Sequence, residues 1–170
     1  EGDGLHFAPD PSSQSVSTLG GNIAMNSGGP HTLKYGVTVQ HVLGVRMVLS
    51  HGEIVQIGGP CGEPPGYDLL SLVVGSEGTL GIVTEAWIVL TPIPEAIQTA
   101  TACFASVREA SQAVASIVKS GVLPAALEMM DRAVLDAVKA AFGLEFPTAT
   151  QAMLLIECDG SPDASRSDLN

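Results

Sequence analysis

Residues 75 to 85, Gly-Ser-Glu-Gly-Thr-Leu-Gly-Ile-Val-Thr-Glu, place three glycines at a spacing of three across the junction between an apolar helix and a strand. Each glycine costs roughly 0.5–1 kcal/mol of chain entropy relative to alanine, so it is chosen where φ must be positive or where a second backbone or a ligand comes close. Ordinary packing does not ask for three in such a place. A second segment of the same kind lies upstream, Ser17-Thr18-Leu19-Gly20-Gly21-Asn22 followed by Asn26-Ser27-Gly28-Gly29. Together the two segments point to a bound cofactor.

The upstream segment has a chemical logic of its own. Successive residues without side chains let backbone N–H groups converge on an anion, and Ser17, Thr18, Asn22 and Asn26 add neutral donors. A pyrophosphate suits it, and a pair of tight turns bracketing a short helix fits the same residues. The downstream glycines do not form the Rossmann Gly-x-Gly-x-x-Gly, and no Gly-Lys-Ser/Thr follows to form a P-loop. Ser76 is not a hydrolase nucleophile elbow, because Val74 stands where glycine is required. Glu77, between glycines, is read either as a solvated acid or as an acceptor for cofactor hydroxyls or amides. Lys34 is read as a solvated charge or a phosphate partner.

Composition narrows the class. A net charge of −11 with seven Lys and Arg offers no clustered basic surface for nucleic acid or for an anionic membrane. The longest apolar runs, Ala86 to Leu90 and Met153 to Ile156, fall far short of the roughly 20 residues of a spanning helix, so no transmembrane segment is expected. Cys61, Cys103 and Cys158 are widely spaced with no Cys-x-x-Cys, which disfavours a disulfide scaffold or a zinc site and favours a reducing, cytoplasmic setting. The four histidines show no metal-ligand spacing, so no metal site is assigned. Met129, Met130 and Met153 are expected as core filling, Trp87 and Tyr67 as packing anchors, and Cys61 as oxidation-sensitive only if exposed.

Two regions with different rhythms are expected, residues 1–92 and 93–170. In the first, Val42 to Leu49 and Ile54 to Ile57 read as a hairpin about Ser50-His51-Gly52-Glu53, and Asp68 to Val74 as a two-turn helix closed by Gly75. Gly81 to Leu90 reads as a buried strand with Ile82, Thr84, Ala86, Ile88 and Leu90 on one face and Val83, Trp87 and Val89 on the other. Thr91-Pro92-Ile93-Pro94 reads as an extended connector, since prolines cannot sit inside a ladder. Beyond it come a strand at Thr99 to Phe104 and a helix capped by Ser106 and Glu109 that ends at Gly121. A short strand follows at Leu127 to Met130, then a helix from the cap Asp131 to Phe142, and a strand from Met153 to Cys158. This β-α-β-α-β order gives a small α+β layer. Ser161 to Asn170 reads as a polar tail, and with no methionine at residue 1 the chain is expected to be a piece of a longer protein.

The motifs Pro9-Asp10-Pro11, Thr18 to Pro30 (Thr-Leu-Gly-Gly-Asn-Ile-Ala-Met-Asn-Ser-Gly-Gly-Pro), Leu33-Lys34-Tyr35-Gly36, Pro65-Gly66-Tyr67-Asp68-Leu69, Val74 to Glu85 and Leu127-Glu128-Met129-Met130-Asp131 stand in order along the chain. Together they resemble the FAD-linked oxidases of the vanillyl-alcohol oxidase type. The likeness is greatest to the FAD-binding subunit of glycolate oxidase and to D-lactate dehydrogenases.

The resemblance implies an α+β protein in which residues 1–92 are the second half of a PCMH-type FAD-binding domain and residues 93–170 begin a ferredoxin-like cap domain. It implies FAD as cofactor, contacted by Pro11, Thr18, Gly20, Gly21, Asn22, Ala24, Asn26, Gly28, Tyr35, Glu77, Gly78, Gly81 and Ile82. It also implies oxidation of a 2-hydroxy acid such as glycolate or D-lactate, with electrons passed to a partner subunit or carrier through which any membrane contact is made. Catalytic and metal-binding residues are expected outside these 170 residues. A non-catalytic module that keeps only the packing is the alternative from another class, and 2-hydroxyglutarate or an alkyl-glycerone phosphate the alternative substrates.

Overall fold

The computed structural model describes residues 3–62 and 65–169 of the chain. It is a mixed α+β structure that divides between Ile93 and Pro94 into two compact units. Among the described residues, no helix is long and apolar enough to cross a membrane.

The first unit opens with β1 (Leu5–His6) and the short helices α1 (Leu19–Met25) and α2 (Thr32–Tyr35), followed by a 3₁₀ turn at Thr38–His41. The hairpin forms as expected: β2 (Val42–Val48) and β3 (Ile54–Gly58) pair antiparallel with Val48 opposite Ile54. Next come α3 (Leu69–Val73), capped when Asp68 accepts the Ser71 amide at 2.9 Å, and β4 (Ile82–Ile88). The sheet order is β3-β2-β4, and one face is covered by Ile23 of α1 and by Leu70, Val73 and Val74 at α3.

Two bulges explain where the expected alternation fails. Glu85 lies opposite Arg46 and Val83 opposite Met47, which leaves Thr84 as the extra residue on β4. A bulge resets the period of two. Val83 and Ala86 therefore both pack on the core, whereas Ile82 falls on the outer face at 65% exposure. A second irregularity at Leu43 puts both Val42 and Val45 in the core. The strand is also not buried on both faces, since Ile82, Thr84 and Glu85 are exposed.

Three further expectations are corrected. Thr91 and Pro92 form β5, paired antiparallel with β1, so the first half of the connector is laddered; as an edge strand it tolerates the proline. Tyr67 is no packing anchor, at 92% exposure in the loop before α3. Of the methionines, Met153 is buried but Met129 is largely exposed.

The second unit runs β6 (Ala96–Phe104), α4 (Val107–Lys119), β7 (Ala126–Asp131), α5 (Arg132–Phe142), β8 (Ala152–Gly160) and α6 (Pro162–Leu169). β8 is the central strand, antiparallel to both β6 and β7. The outer pair are thus parallel to one another and split, the ferredoxin-like arrangement. Ser106 caps α4 by accepting the Glu109 amide at 3.2 Å, and Glu109 reaches back to the Ala105 amide rather than to that of Ser106. Ala110 and Val114 of α4 pack on Ala152, Leu154 and Phe104. The stretch read as a polar tail is α6: Ser161 accepts the Ala164 amide at 3.3 Å and Pro162 opens the helix, where its missing N–H costs nothing.

Candidate cofactor site

The two glycine segments meet, and their backbones bring them together. α1 begins because the Thr18 hydroxyl accepts the Gly21 amide at 3.0 Å, and it stops at Asn26, whose φ is 49°. The Asn26 side chain braces the chain beyond the helix, its Oδ1 accepting the Val39 amide at 2.9 Å. The last carbonyls of a helix have no partner within it. Here they find partners downstream: Gly75 donates to Ile23 and Glu77 to Ala24, each at 2.9 Å. Glu77 takes a left-handed φ of 53° to do so.

Between the segments lies a cavity of about 170 Å3 lined by Gly20, Ala24, Val73, Ser76, Gly78, Gly81, Ile82 and Val83. Five of the expected contact residues line it: Gly20, Ala24, Gly78, Gly81 and Ile82. Glu77 braces its wall through the backbone bond just described, and Asn26 through its side-chain bond to Val39. Asn22, largely buried, instead lines a second and larger pocket of about 520 Å3 in the same unit, together with His6 and Ser17. Pro11 opens a turn by accepting the Gln14 amide at 2.7 Å, Thr18 serves as a cap, and Gly21 is exposed on α1. Tyr35 lies against His6, with the Lys34 ammonium 5.5 Å from its ring.

Ordinary packing does account for several of the glycines, contrary to the reading from sequence. A Cβ on Gly28 would come within 2.5 Å of the Thr32 hydroxyl, and one on Gly29 within 2.2 Å of the Asp10 carbonyl. Gly81, at φ +153°, would drive a Cβ to 2.6 Å from both Met47 Cε and the Val48 carbonyl. Gly20 is different. Its backbone is helical, and a Cβ there would meet nothing within 4 Å, so among the described residues nothing requires glycine at that position.

That bare position is the test of fit for a cofactor. Among the described residues no charged side chain lines the smaller cavity, whose wall is backbone, short apolar groups and one hydroxyl. A dinucleotide held along its length by main chain and small side chains fits such a wall. Among the described residues no group of three His, Cys, Asp or Glu could hold a metal ion.

Sequence reasoning missed Val73, Ser76 and Val83 as lining residues: the two valines read only as core, and Ser76 only as a nucleophile candidate, set aside. It also missed the contact between His31 Nδ1 and Asp10 Oδ2 at 2.5 Å, which joins segments 21 residues apart and has no local signal.

Comparisons with known proteins bear on both units. Residues 1–58 match the family model "FAD binding domain", and residues 93–170 match "FAD linked oxidases, C-terminal domain". The chain is 45% identical to "Glycolate oxidase subunit GlcD" of Bacillus subtilis, over 99% of this chain and 36% of that protein. It is 42% identical to the protein of that name in Escherichia coli K12, over 92% and 31%. It is 34% identical to "D-lactate dehydrogenase" of Anaerostipes hadrus, over 99% and 37%. The chain thus spans about a third of the length of the curated relatives it matches. Among solved structures, "alkyldihydroxyacetonephosphate synthase" shares the fold at a TM-score of 0.77 with 24% identity, over 99% of this chain and 33% of that one.

Proposed function

The chain belongs to the FAD-linked oxidases, and from that premise we propose that it carries part of the FAD-binding surface of an oxidoreductase acting on a 2-hydroxy acid such as glycolate or D-lactate. In this reading residues 1–92 are the latter half of the FAD-binding domain and residues 93–170 open the cap domain. Identity of 34–45% with proteins named for glycolate and D-lactate supports the substrate class. The observation that carries the reading is Gly20: a glycine with no steric cause among the described residues, lining a cavity walled by the second glycine segment.

The chemistry a bound flavin supplies is acceptance of a hydride from the carbon that bears the hydroxyl. The residues here bind and orient. Gly20, Ala24, Gly78, Gly81 and Ile82 offer close approach along the smaller cavity, Glu77 and Asn26 hold its wall, and Asn22 presents a buried amide to the larger pocket. Pro11, Thr18, Gly21, Gly28 and Tyr35 complete the proposed contact set by fixing the turns and helix on which those residues stand. The relatives named as a subunit of glycolate oxidase support an electron-accepting partner subunit.

The test is the visible spectrum of the intact polypeptide that contains this sequence. Flavin bands that bleach without oxygen on addition of glycolate or D-lactate are expected. A colourless protein that takes up no FAD overturns the reading, and bound flavin that bleaches only with another hydroxy acid overturns the substrate assignment alone.

A further inference from the structure

The chain passes from the first unit to the second on a very short tether. Ile93, the last residue of the first unit, is held there by its amide, which donates to the Gly4 carbonyl at 3.0 Å. Ala96 is already laddered in the second unit, opposite Gly160. Only Pro94 and Glu95 lie between, and the proline fixes its own φ while biasing Ile93 toward an extended backbone.

β1 is what keeps the tether short. Among the described residues it pairs with β5 alone, through Leu5 opposite Pro92 and His6 opposite Thr91, with the Thr91 hydroxyl donating to the His6 carbonyl at 3.4 Å. A two-stranded ladder of this length is marginal by itself. Closure also carries a penalty. Among the described residues the Nε2 of His6 is buried without a hydrogen-bond partner, its ring standing edge-on to Tyr35 with centroids 6.3 Å apart. A polar atom stripped of water in that way disfavours the closed state, since an open β1 returns it to solvent. The next anchor upstream is firmer: directly after β4, the Val89 amide donates to the carbonyl of the buried His41 at 2.8 Å.

We propose that β1 is a releasable clasp on the connector between the units. Closed, it leaves Pro94 and Glu95 free; open, it frees residues 90–95, and the span of the extended tether grows from about 7 Å to about 20 Å. The first unit stays folded meanwhile, because its core is built from α1, α3 and the β3-β2-β4 sheet and takes no residue from β1 or β5. The unanswered His6 nitrogen weights the equilibrium toward opening. In the oxidoreductase proposed above, the connector leads from the FAD-binding domain into the cap, so the clasp governs the freedom of the cap.

Amide hydrogen exchange on the intact polypeptide reads the clasp directly and needs no flavin. Corrected for intrinsic rates, the Ile93 amide should exchange at least about tenfold faster than that of Val89, because local opening exposes the first and not the second. A disulfide between Leu5→Cys and Pro92→Cys, directly opposed positions within the Cα span such a bond bridges, should slow Ile93 to the Val89 rate, and reduction should restore it. His6→Phe keeps a flat ring and removes the nitrogen, so Ile93 exchange should slow roughly five- to thirtyfold. An Ile93 amide that exchanges no sooner than that of Val89, or that the cross-link does not slow, overturns the clasp. Equal or faster Ile93 exchange in His6→Phe overturns the part given to His6.

Discussion

The amide of Glu77 donates to the carbonyl of Ala24 across 2.9 Å, so the loop after α3 closes the open end of α1. To reach it, Glu77 accepts a left-handed backbone that costs an L-residue about 1–2 kcal/mol. Glu77→Gly should therefore unfold at the same or a slightly higher urea concentration than wild type. Glu77→Val, β-branched in the same conformation, should lose about 1–3 kcal/mol. Equal stability of the two variants would show that the bond does not hold this backbone.

Gly20 and Gly81 should respond in opposite ways to alanine. Gly20→Ala adds a methyl group to a helical position with nothing within 4 Å, so the apo protein should gain up to about 1 kcal/mol while FAD affinity falls. Gly81→Ala meets Met47 and the Val48 carbonyl at a φ only glycine favours, and should lose about 2 kcal/mol or more before any ligand is added. Paired thermal melts with and without FAD separate the two. A Gly20→Ala protein that binds FAD as wild type does would remove the main support for the site.

Deleting Thr84 should be tolerated. Glu85 already lies opposite Arg46 and Val83 opposite Met47, so removing the extra residue leaves a regular ladder with Val83 still in the core and Ile82 still outside. We expect a loss of less than about 1 kcal/mol, as for Thr84→Ala, whose exposed hydroxyl bonds the Arg46 carbonyl; a loss of more than about 2 kcal/mol on deletion would show that the bulge itself is needed. Urea titrations of both variants check this.

In the second unit, Asp131 caps α5 by accepting the Val134 amide at 3.0 Å. Asp131→Ala should cost about 1 kcal/mol, and Asp131→Asn, which still caps, only a few tenths. Circular dichroism melts that find both variants equally affected would point to charge rather than capping.

Most of the elements were legible because their signals are local. The turn at Ser50 to Glu53, the caps Ser106 and Asp131 and the glycines at 121 and 143 each act within a few residues. The bulges at Leu43 and Thr84 were not legible, because a bulge exists only relative to a partner strand. α6 was missed although Ser161-Pro162-Asp163 is a start signal, since its polar composition outweighed its cap. At the site, the sequence marked both glycine segments but could not sort glycines that yield to the chain's own atoms, such as Gly28 and Gly81, from Gly20, which yields to none. That distinction needs Asp10, Thr32, Met47 and Val48 placed in space.

The position of β8 has a consequence for biosynthesis. β6 and β7 do not pair with one another; among the described residues each finds its ladder in β8, which leaves the ribosome after both. Until then two nascent segments with unanswered amides and carbonyls are displayed together, open to strand-seeking chaperones or to neighbouring chains. Arrival of β8 then answers both strands at once, and slowing translation upstream of Ala152 should lengthen that exposure.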